Sequence, residues 1–448
     1  ADWFYDFTNT ITRENMDEMM DLEETGGIME YWADLYSVTG DPRHLELMRR
    51  HERPRLADGL LAGKDMLTNM HANATIPEMQ GYARAYEVTG ERRYRDVVEA
   101  YWKQAVTDRA AYATGGQTCG EVWTPMGALS ARLGELNQEH CVVYNMMRLS
   151  EYLLRWTGDS QYADYWERGL YNGIFAQGYW QANGNHIDAN VPHPVTTVAY
   201  YLPMNPGAVK RWGSEFDHFW CCHCTLLQAN AIHHESIYYQ SDRALYVAQY
   251  LPSSARFCVD GAEGTIQMEE NSMTGGEMMR DAEVNRTITA RPHCWKMDIR
   301  LRMDGPREFD LRLRLPGWLS GEAEIFVDGR KADYEREDGF AVLRGPWSDA
   351  DIAIVLPKRL ACVPLPDDPD MVAFVDGPVC LAGLVGEEHL LYGDPDNPEN
   401  SLLCADTERA WQRWGNGWKT YHQPFGIRFK PLYEIGHEPY TIYFPVKR

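Results

Sequence analysis

The sequence lacks the excess of basic residues that nucleic-acid-binding and membrane-surface proteins carry. It has 43 Lys and Arg against 66 Asp and Glu, a formal net charge of −23. Nucleic acids and anionic membranes require a basic surface, so neither is expected as a partner. It also lacks an apolar run near the roughly 20 residues of a membrane-spanning helix. Ala1-Asp2-Trp3 does not resemble a signal peptide, and because the chain starts with Ala rather than Met, we expect that an upstream segment has been removed.

Aromatic residues and cysteines are abundant instead. There are 15 Trp and 26 Tyr, whose rings can cover apolar sugar faces, although core packing explains most of them. The 10 cysteines are more informative because several are clustered, namely Cys119, Cys141, Cys221, Cys222 and Cys224. Adjacent Cys221 and Cys222 are poor candidates for a mutual disulfide, because the ring that they would close is strained.

A metal site is one interpretation of this cluster. Glu139 and Cys141 are two residues apart and could face one ion if they lay at an irregular helix start. Three thiolates with one carboxylate or imidazole suit the tetrahedral coordination of Zn²⁺. Buried free thiols explain the same pattern without a metal, so both interpretations stay open at this point.

The first half of the chain has the pattern of repeated helix pairs. Tyr36-Ser37-Val38-Thr39-Gly40-Asp41 recurs as Tyr86-Glu87-Val88-Thr89-Gly90-Glu91 and as Arg155-Trp156-Thr157-Gly158-Asp159. Each copy places Gly where a helix ends and an acidic residue where the next can begin. Helix pairs that repeat at about 50–70 residues predict stacked hairpins, either a solenoid or a closed α/α toroid.

The second half changes to short alternating runs near Glu235. Residues 309–315 alternate apolar with polar side chains and end at Pro316-Gly317-Trp318, which predicts a half-buried strand followed by a turn. Residues 324–330 and 352–356 continue the pattern. We therefore predict an α+β multidomain protein, with an α/α domain over residues 1–235 and one or more β-sandwich domains over residues 236–448.

Motifs in both halves resemble those of a known family. In the helical half they are Gly26-Gly27-Ile28-Met29-Glu30 with Asp34-Leu35-Tyr36, His71-Ala72-Asn73 with Ile76-Pro77, Thr114-Gly115-Gly116 leading to Glu121, Glu139-His140-Cys141 with Tyr144-Asn145-Met146, and Phe219-Trp220-Cys221-Cys222. In the second half they are Leu315-Pro316-Gly317-Trp318 and Gly377-Pro378-Val379. Taken in this order, they resemble the β-L-arabinofuranosidases of glycoside hydrolase families 127 and 146.

The resemblance implies a zinc-dependent retaining glycosidase whose six-hairpin α/α toroid is catalytic and is followed by a β-sandwich. The family's zinc ligands match Glu139, Cys141, Cys221 and Cys222. Cys221 matches the nucleophile and Glu121 the acid/base, and His71 and Tyr144 are expected to contact substrate near them. A zinc-bound thiolate can attack the anomeric carbon while Glu121 protonates the departing oxygen. The alternative interpretation of Glu121, without the resemblance, is a residue that caps the N-terminus of a helix.

Three departures from the family pattern modify these expectations. His223-Cys224 follows the cysteine pair where family members carry small or proline-containing sequences, so either residue could replace or compete with an expected ligand. Thr75 stands where the family has a histidine, which leaves the exact sugar open. About eight or nine helical segments are expected before Glu235, against twelve in a six-hairpin toroid. We therefore expect an N-terminally incomplete toroid, completed by a missing segment or by an oligomeric partner.

Two other functions fit parts of the pattern. A polysaccharide lyase can also combine a toroid with a sandwich, but it needs a Tyr or His base and no Glu-x-Cys motif. A non-catalytic glycan-binding protein could hold a purely structural zinc. All three interpretations predict an oligosaccharide or polysaccharide as partner. Clustered reduced thiols favour a reducing compartment such as the cytoplasm, although zinc would protect thiols elsewhere too, so the compartment is left open.

Overall fold

The computed structural model describes residues 1–22, 26–180, 196–214, 217–271, 278–281, 286–289, 294–404 and 418–448. The helices of the first half are α1 (Asp2–Thr8), α2 (Arg13–Leu22), α3 (Ile28–Thr39), α4 (Pro42–Arg50), α5 (Pro54–Leu61), α6 (Ala72–Thr89), α7 (Arg92–Trp102), α8 (His140–Thr157), α9 (Gln161–Gly169), α10 (Phe175–Gln177) and α11 (Cys221–Ile232). Two short hairpins accompany them, β1 (Thr118–Cys119) with β2 (Val122–Trp123) and β3 (Gly178–Trp180) with β4 (Thr196–Val198). In the described ranges, no helix has both the length and the hydrophobicity needed to cross a membrane.

The recurring glycine motifs end helices, as predicted. Gly40, Gly90 and Gly158 follow α3, α6 and α8 with φ of 65°, 73° and 71°, a left-handed conformation that glycine adopts without steric cost. Helix α3 packs on α4 and α6, α6 packs on α7 and α8, and α8 packs on α9. The helical hairpins are therefore confirmed, whereas their closure into a toroid stays a prediction.

The described part of the chain contains eleven α-helices before Glu235, more than the eight or nine expected. The additional ones include short helices such as α1, with 7 residues, and α10, with 3. A helix of two turns or fewer is too short to show apolar periodicity, so a sequence pattern cannot reveal it.

The second half is built from strands, as predicted. They are β5 (Tyr238–Gln240), β6 (Ala244–Val247), β7 (Ser253–Val259), β8 (Ala262–Glu270), β9 (Met278–Asp281), β10 (Arg286–Thr289), β11 (Cys294–Met303), β12 (Asp310–Arg314), β13 (Glu324–Val327), β14 (Arg330–Ala332), β15 (Glu335–Glu337), β16 (Phe340–Arg344), β17 (Ala350–Pro357), β18 (Leu360–Leu365), β19 (Asp368–Asp376), β20 (Val379–Gly383), β21 (Leu391–Tyr392), β22 (Leu402–Cys404), β23 (Trp418–Thr420), β24 (Arg428–Pro431) and β25 (Tyr443–Lys447). The predicted strand at 309–315 is β12, in which Leu311 and Leu313 are buried.

Apart from β9 and β10, which among the described strands pair only with each other, these strands form a two-sheet sandwich and a separate C-terminal sheet. One sheet of the sandwich has the order β14-β13-β17-β11-β8-β7 and the other β15-β16-β12-β6-β5. Both contribute to one core, with Ile299 from the first and Leu311 from the second. The C-terminal sheet has the order β21-β25-β19-β20-β24-β23-β22, with β18 beside β19. The predicted sandwich boundaries, 236–448, stay a prediction.

A buried ion pair joins the sandwich to the helices. The Arg314 side chain lies at the end of β12 with no solvent exposure and donates to both Asp164 and Glu167 of α9, with Nη2 2.6 Å from Glu167 Oε1. Trp318 Nε1 donates to Glu167 Oε2 at 2.7 Å. Burial opposes the charge of Arg314, but the two carboxylates raise its pKa above the ordinary value. Trp318, from the Leu315-Pro316-Gly317-Trp318 motif, and Glu167 of α9 are therefore two sides of one joint.

The C-terminal sheet holds two loops of the helical half. Lys210, buried in the segment before α11, donates from Nζ to Leu432 O at 2.8 Å and to Ile435 O at 2.9 Å. Tyr443 Oη accepts a hydrogen bond from Ala113 N at 2.7 Å, directly before the Thr114-Gly115-Gly116 motif. The sheet thus fixes chain segments on either side of the region where the cysteine motifs meet.

Replacing Arg314 with Met should destabilise the protein, because Asp164 and Glu167 then lose their buried cation. Removing one partner of a buried ion pair costs about 3–5 kcal/mol, and urea unfolding followed by circular dichroism measures the loss. Arg336→Met is the control, because Arg336 pairs with Glu322 on the surface, where a pair contributes about 0–1 kcal/mol. Equal losses in the two variants would contradict the proposed joint.

Candidate functional site

The first half of the site lies at the start of α8. Glu139 is the N-cap residue, with extended backbone dihedrals of −63° and 135°, and Cys141 is the second residue of the helix. The turn between extended and helical backbone lets side chains two residues apart point the same way. Both are buried, with 1% of Glu139 and none of Cys141 exposed. This is the irregular helix start on which the sequence interpretation depended.

The second half of the site lies at the start of α11. Cys221 is the first residue of this helix and Cys222 the second; Cys221 is exposed and Cys222 is buried. The sulfurs of Cys222 and Cys141 are 3.4 Å apart, well beyond the roughly 2.05 Å of a disulfide. Two motifs about 80 residues apart in sequence therefore meet as free thiols at two helix starts.

The four donors are arranged as a metal would require. One ligand atom each from Glu139, Cys141, Cys221 and Cys222 lies within 4.8 Å of the others. A tetrahedral Zn²⁺ with bonds of about 2.3 Å places sulfurs about 3.8 Å apart, so the 3.4 Å separation of Cys141 and Cys222 needs only a small adjustment. Three thiolates and a carboxylate match the ligand chemistry of zinc.

His223 and Cys224, the two residues that differ from the family pattern, directly follow Cys222 on α11. His223 Nδ1 accepts a hydrogen bond from Trp220 N at 3.0 Å, and Cys224 is exposed. Among the described residues, neither belongs to a group that could hold a metal. The geometry therefore favours the four ligands that the family resemblance implies.

Hydrogen bonds among the three thiols shift their pKa values in different directions. Hydrogen bonds from Cys141 and Cys222 lower the pKa of Cys221. The contact with Cys221, together with burial, raises the pKa of Cys141, and the contacts with Cys141 and Cys221 raise the pKa of Cys222. Cys221 is therefore the most acidic of the three thiols. It is also the member that solvent reaches, as a nucleophile must be.

Glu121 reaches the cluster from a tight hairpin. Gly120 and Glu121 join β1 to β2 with φ of 61° and 66°, the conformation of a type I′ turn. A left-handed Glu is uncommon and is held here by the surrounding structure, since Glu121 O accepts from Ala72 N at 2.8 Å. Glu121 is thus at a hairpin turn, so the helix-cap alternative is wrong.

His71 places the start of α6 against the same carboxylate. Its Nδ1 caps the helix by accepting from Ala74 N at 3.1 Å, which leaves Nε2 to carry the proton of a neutral ring. Nε2 lies 3.4 Å from Glu121 Oε2. His71, Glu121 and Glu139 also form a second close group of possible ligand atoms, so His71 lies beside the cluster, and its contact with substrate stays a prediction.

Tyr200 connects Glu121 to Cys221 and was not identified from the sequence. Its hydroxyl donates to Glu121 Oε1 and lies 3.8 Å from Cys221 Sγ. Burial and the Glu121 hydrogen bond raise the pKa of Tyr200, so the phenol stays protonated as a donor. No spacing pattern could reveal it, because Tyr200 is 79 residues from Glu121 and lies in no motif used above.

Tyr144 occupies a different environment from the one expected. It is 6% exposed and packs with Met147 and Trp166 in the core between α8, α9 and α11. Burial, opposed by the nearby charge of Arg148, raises its pKa. The expected substrate contact of Tyr144 therefore has no support from this placement and stays a prediction.

Comparison with known proteins identifies relatives of both halves. The family model described as "Beta-L-arabinofuranosidase, GH127 catalytic domain" matches residues 1–235, and that of the "GH127 middle domain" matches residues 244–358. A curated relative, the non-reducing end β-L-arabinofuranosidase of Bifidobacterium longum subsp. longum, is 25% identical over 273 residues. That match covers 59% of this chain but only 37% of the relative.

Two solved structures are similar to nearly the whole chain. A GH127 β-L-arabinofuranosidase from Geobacillus stearothermophilus T6 is 18% identical with a TM-score of 0.67, covering 94% of this chain and 72% of that one. A GH127 β-arabinofuranosidase is 19% identical with a TM-score of 0.68, covering 94% and 68%. At such identities the likeness establishes a shared fold, a helical domain followed by a sheet-rich part.

Iodoacetamide at about pH 6 should modify Cys221 of metal-free protein well before Cys141 and Cys222. The reason is that Cys221 is exposed and favours the thiolate, which is the form that reacts, whereas the other two are buried and favour the thiol. Mass spectrometry of peptides locates the label, with Cys221→Ser as the control that loses it. If Cys222 of the folded protein were labelled as fast as Cys221, the inferred difference in pKa between the two thiols would be wrong.

Proposed function

The chain belongs to the GH127 β-L-arabinofuranosidase family, and from this premise we propose that it is a retaining glycoside hydrolase that releases a β-L-arabinofuranose-like sugar from plant-type glycans. The observation that carries the proposal is that Glu121 and Cys221 both contact one hydroxyl, Tyr200 Oη. An acid and a nucleophile set that close suit the roughly 5–5.5 Å separation of a retaining pair. Membership of family 146 stays a prediction.

The zinc site would consist of Glu139, Cys141, Cys221 and Cys222, which fit the metal by donor type and separation. Bound there, Zn²⁺ supplies positive charge that keeps the thiolates ionised at neutral pH. Glu139 and Cys141 come from α8 and the other two from α11, so the same ligands also hold the two helix starts together. The exposed side of the group is the Cys221 sulfur, on the side of Tyr200 and Glu121.

In the first step, Cys221 attacks the anomeric carbon while Glu121 acts as the acid. The Sγ–carbon bond forms, the glycosidic carbon–oxygen bond breaks, and the departing oxygen takes the proton of Glu121. In the second step, water loses a proton to Glu121 and its oxygen displaces the sulfur from the same carbon. Two inversions give net retention.

Tyr200 and His71 orient the acid/base for both steps. Tyr200 donates to Glu121 Oε1, and Nε2 of His71 lies 3.4 Å from Oε2. The carboxylate is therefore held on both sides and presented toward Cys221. The left-handed turn conformation of Glu121 fixes the backbone that carries it.

Cys221→Ser should lose nearly all turnover on aryl β-L-arabinofuranosides, because a serine hydroxyl without a strong base is seldom ionised. Losing a nucleophile costs about 10⁴–10⁶-fold in kcat, and elemental analysis of the same preparations determines whether zinc stays bound. Cys258→Ser is the matched control, because Cys258 is an exposed thiol on β7 outside the cluster. If Cys221→Ser retained activity, the cysteine mechanism would be wrong and a glycosidase with two catalytic carboxylates would replace it.

Glu121→Gln should affect substrates according to their leaving group. Poor leaving groups need the proton that Glu121 supplies, so their hydrolysis should fall by about 10²–10⁴-fold, whereas aryl substrates with acidic phenols should lose much less in the first step. Steady-state rates across a series of substituted phenols measure this dependence. An equal loss for all leaving groups would contradict the acid role, and an unsaturated product absorbing in the ultraviolet would indicate a lyase instead. Sugar binding with full zinc occupancy and no turnover would indicate a non-catalytic protein.

A further inference from the structure

Thr225 lies behind the four donors and contacts both halves of the site. It is on α11, and its Oγ1 is 3.4 Å from Cys141 Sγ on α8. The same oxygen is 2.9 Å from His140 Nδ1 and 3.2 Å from Cys222 O. Thr225 is buried, with 9% of its surface exposed. This one hydroxyl therefore contacts the sulfur of Cys141, the backbone of Cys222 and the side chain of His140, which lies between Glu139 and Cys141 in sequence.

The position of the His140 proton decides how this hydroxyl is used. His140 is fully buried, and its Nε2 has no hydrogen-bond partner within the described structure. A buried N–H without an acceptor is rarer and costlier than a ring nitrogen with an unused lone pair. We therefore assign the proton to Nδ1, from which His140 donates to Thr225 Oγ1.

With its oxygen accepting from His140, Thr225 has one hydrogen left to donate. The two acceptors within reach are Cys222 O and Cys141 Sγ. When Cys141 is a thiolate it is the charged acceptor, and hydrogen bonds to charged groups are about twice as strong as neutral ones. The hydroxyl then donates to sulfur, which forms the chain His140 Nδ1–H to Thr225 Oγ1–H to Cys141 Sγ.

The charge of the site explains why such a donor matters. Three thiolates and one carboxylate around Zn²⁺ leave a net charge of −2, and Cys141 and Cys222 are completely buried. Buried charge is costly unless hydrogen bonds or opposite charges compensate it. On the exposed side, the Tyr200 hydroxyl gives its one hydrogen to Glu121 and can only accept from Cys221, so Thr225 is the hydroxyl placed to donate to a buried sulfur, that of Cys141.

We propose that Thr225, oriented by His140, is a positioning residue that donates a hydrogen bond to the Cys141 thiolate and thereby sets the zinc affinity of the site. The inference rests on the zinc site of the proposed function and adds a role for residues that do not touch the metal. Thr225 follows directly after His223-Cys224, the two residues at which this chain departs from the family pattern.

The test measures zinc affinity by competition with a chelator of known affinity. Thr225→Val removes the hydroxyl and keeps the shape, and it should weaken zinc binding by about 10–100-fold, as loss of a partner behind a metal ligand does. Thr225→Ser restores a hydroxyl and should recover most of the affinity. In Co²⁺-substituted protein, Thr225→Val should also shift the sulfur-to-cobalt charge-transfer band to lower energy, because the sulfur loses a hydrogen bond. A merely structural role would leave this band in place.

Thr75→Val is the matched control. Thr75 is a buried threonine on α6 whose hydroxyl makes the same type of bond, to Ala72 O at 2.9 Å, and whose other hydrogen-bond partners are Tyr101 and Trp123, so zinc affinity and the cobalt spectrum should not change. If Thr225→Val does not fold, Thr225→Ala makes the same comparison without a branched side chain. Unchanged affinity and an unchanged band in the Thr225 variants overturn the inference alone. Absence of zinc binding by the unmodified protein overturns the proposed zinc site as well.

Discussion

The starts of α8 and α11 bring four acidic donors together, and the rest of the structure depends on this contact. The sulfurs of Cys141 and Cys222 approach to 3.4 Å, with the buried Glu139 beside them. Such a group is unfavourable as a set of free anions, because burial penalises each charge and the charges repel one another. A divalent cation held by the four donors would offset much of this repulsion, so the same contact suits both the helix arrangement and the proposed chemistry.

Holding two helix starts at this separation requires support from outside the site. The Arg314 joint fixes α9, which packs on α8, to the sandwich. On the other side, Lys210 ties the segment before α11 to the C-terminal sheet. The sheets thus act as a frame for the helical half. Residues near the cluster can then remain in costly conformations, such as the left-handed Glu121.

Much of the fold was predictable because its signals are local. A glycine such as Gly158 after an apolar helix predicts a helix end wherever it occurs, and the alternation around Leu311 predicts a strand with one buried face. Short helices such as α10 gave no such signal. Tyr144 shows the limit at the site: the resemblance implied a substrate contact, but its ring lies in a buried cluster with Met147 and Trp166, and such packing depends on helices that are distant in sequence.

By itself, the sequence supplied the candidate donors, Glu139, Cys141 and the Cys221–Cys222 pair, and the family resemblance rather than their spacing selected them as one ligand set. Only the tertiary structure decided which hydroxyls serve them. Tyr200 and Thr225 carry no pattern of their own, and each gains its role from a neighbour at least 79 residues away. Ligand identity is a property of the residue type, whereas hydrogen-bond partnership is a property of packing, and packing exists only once the chain is folded.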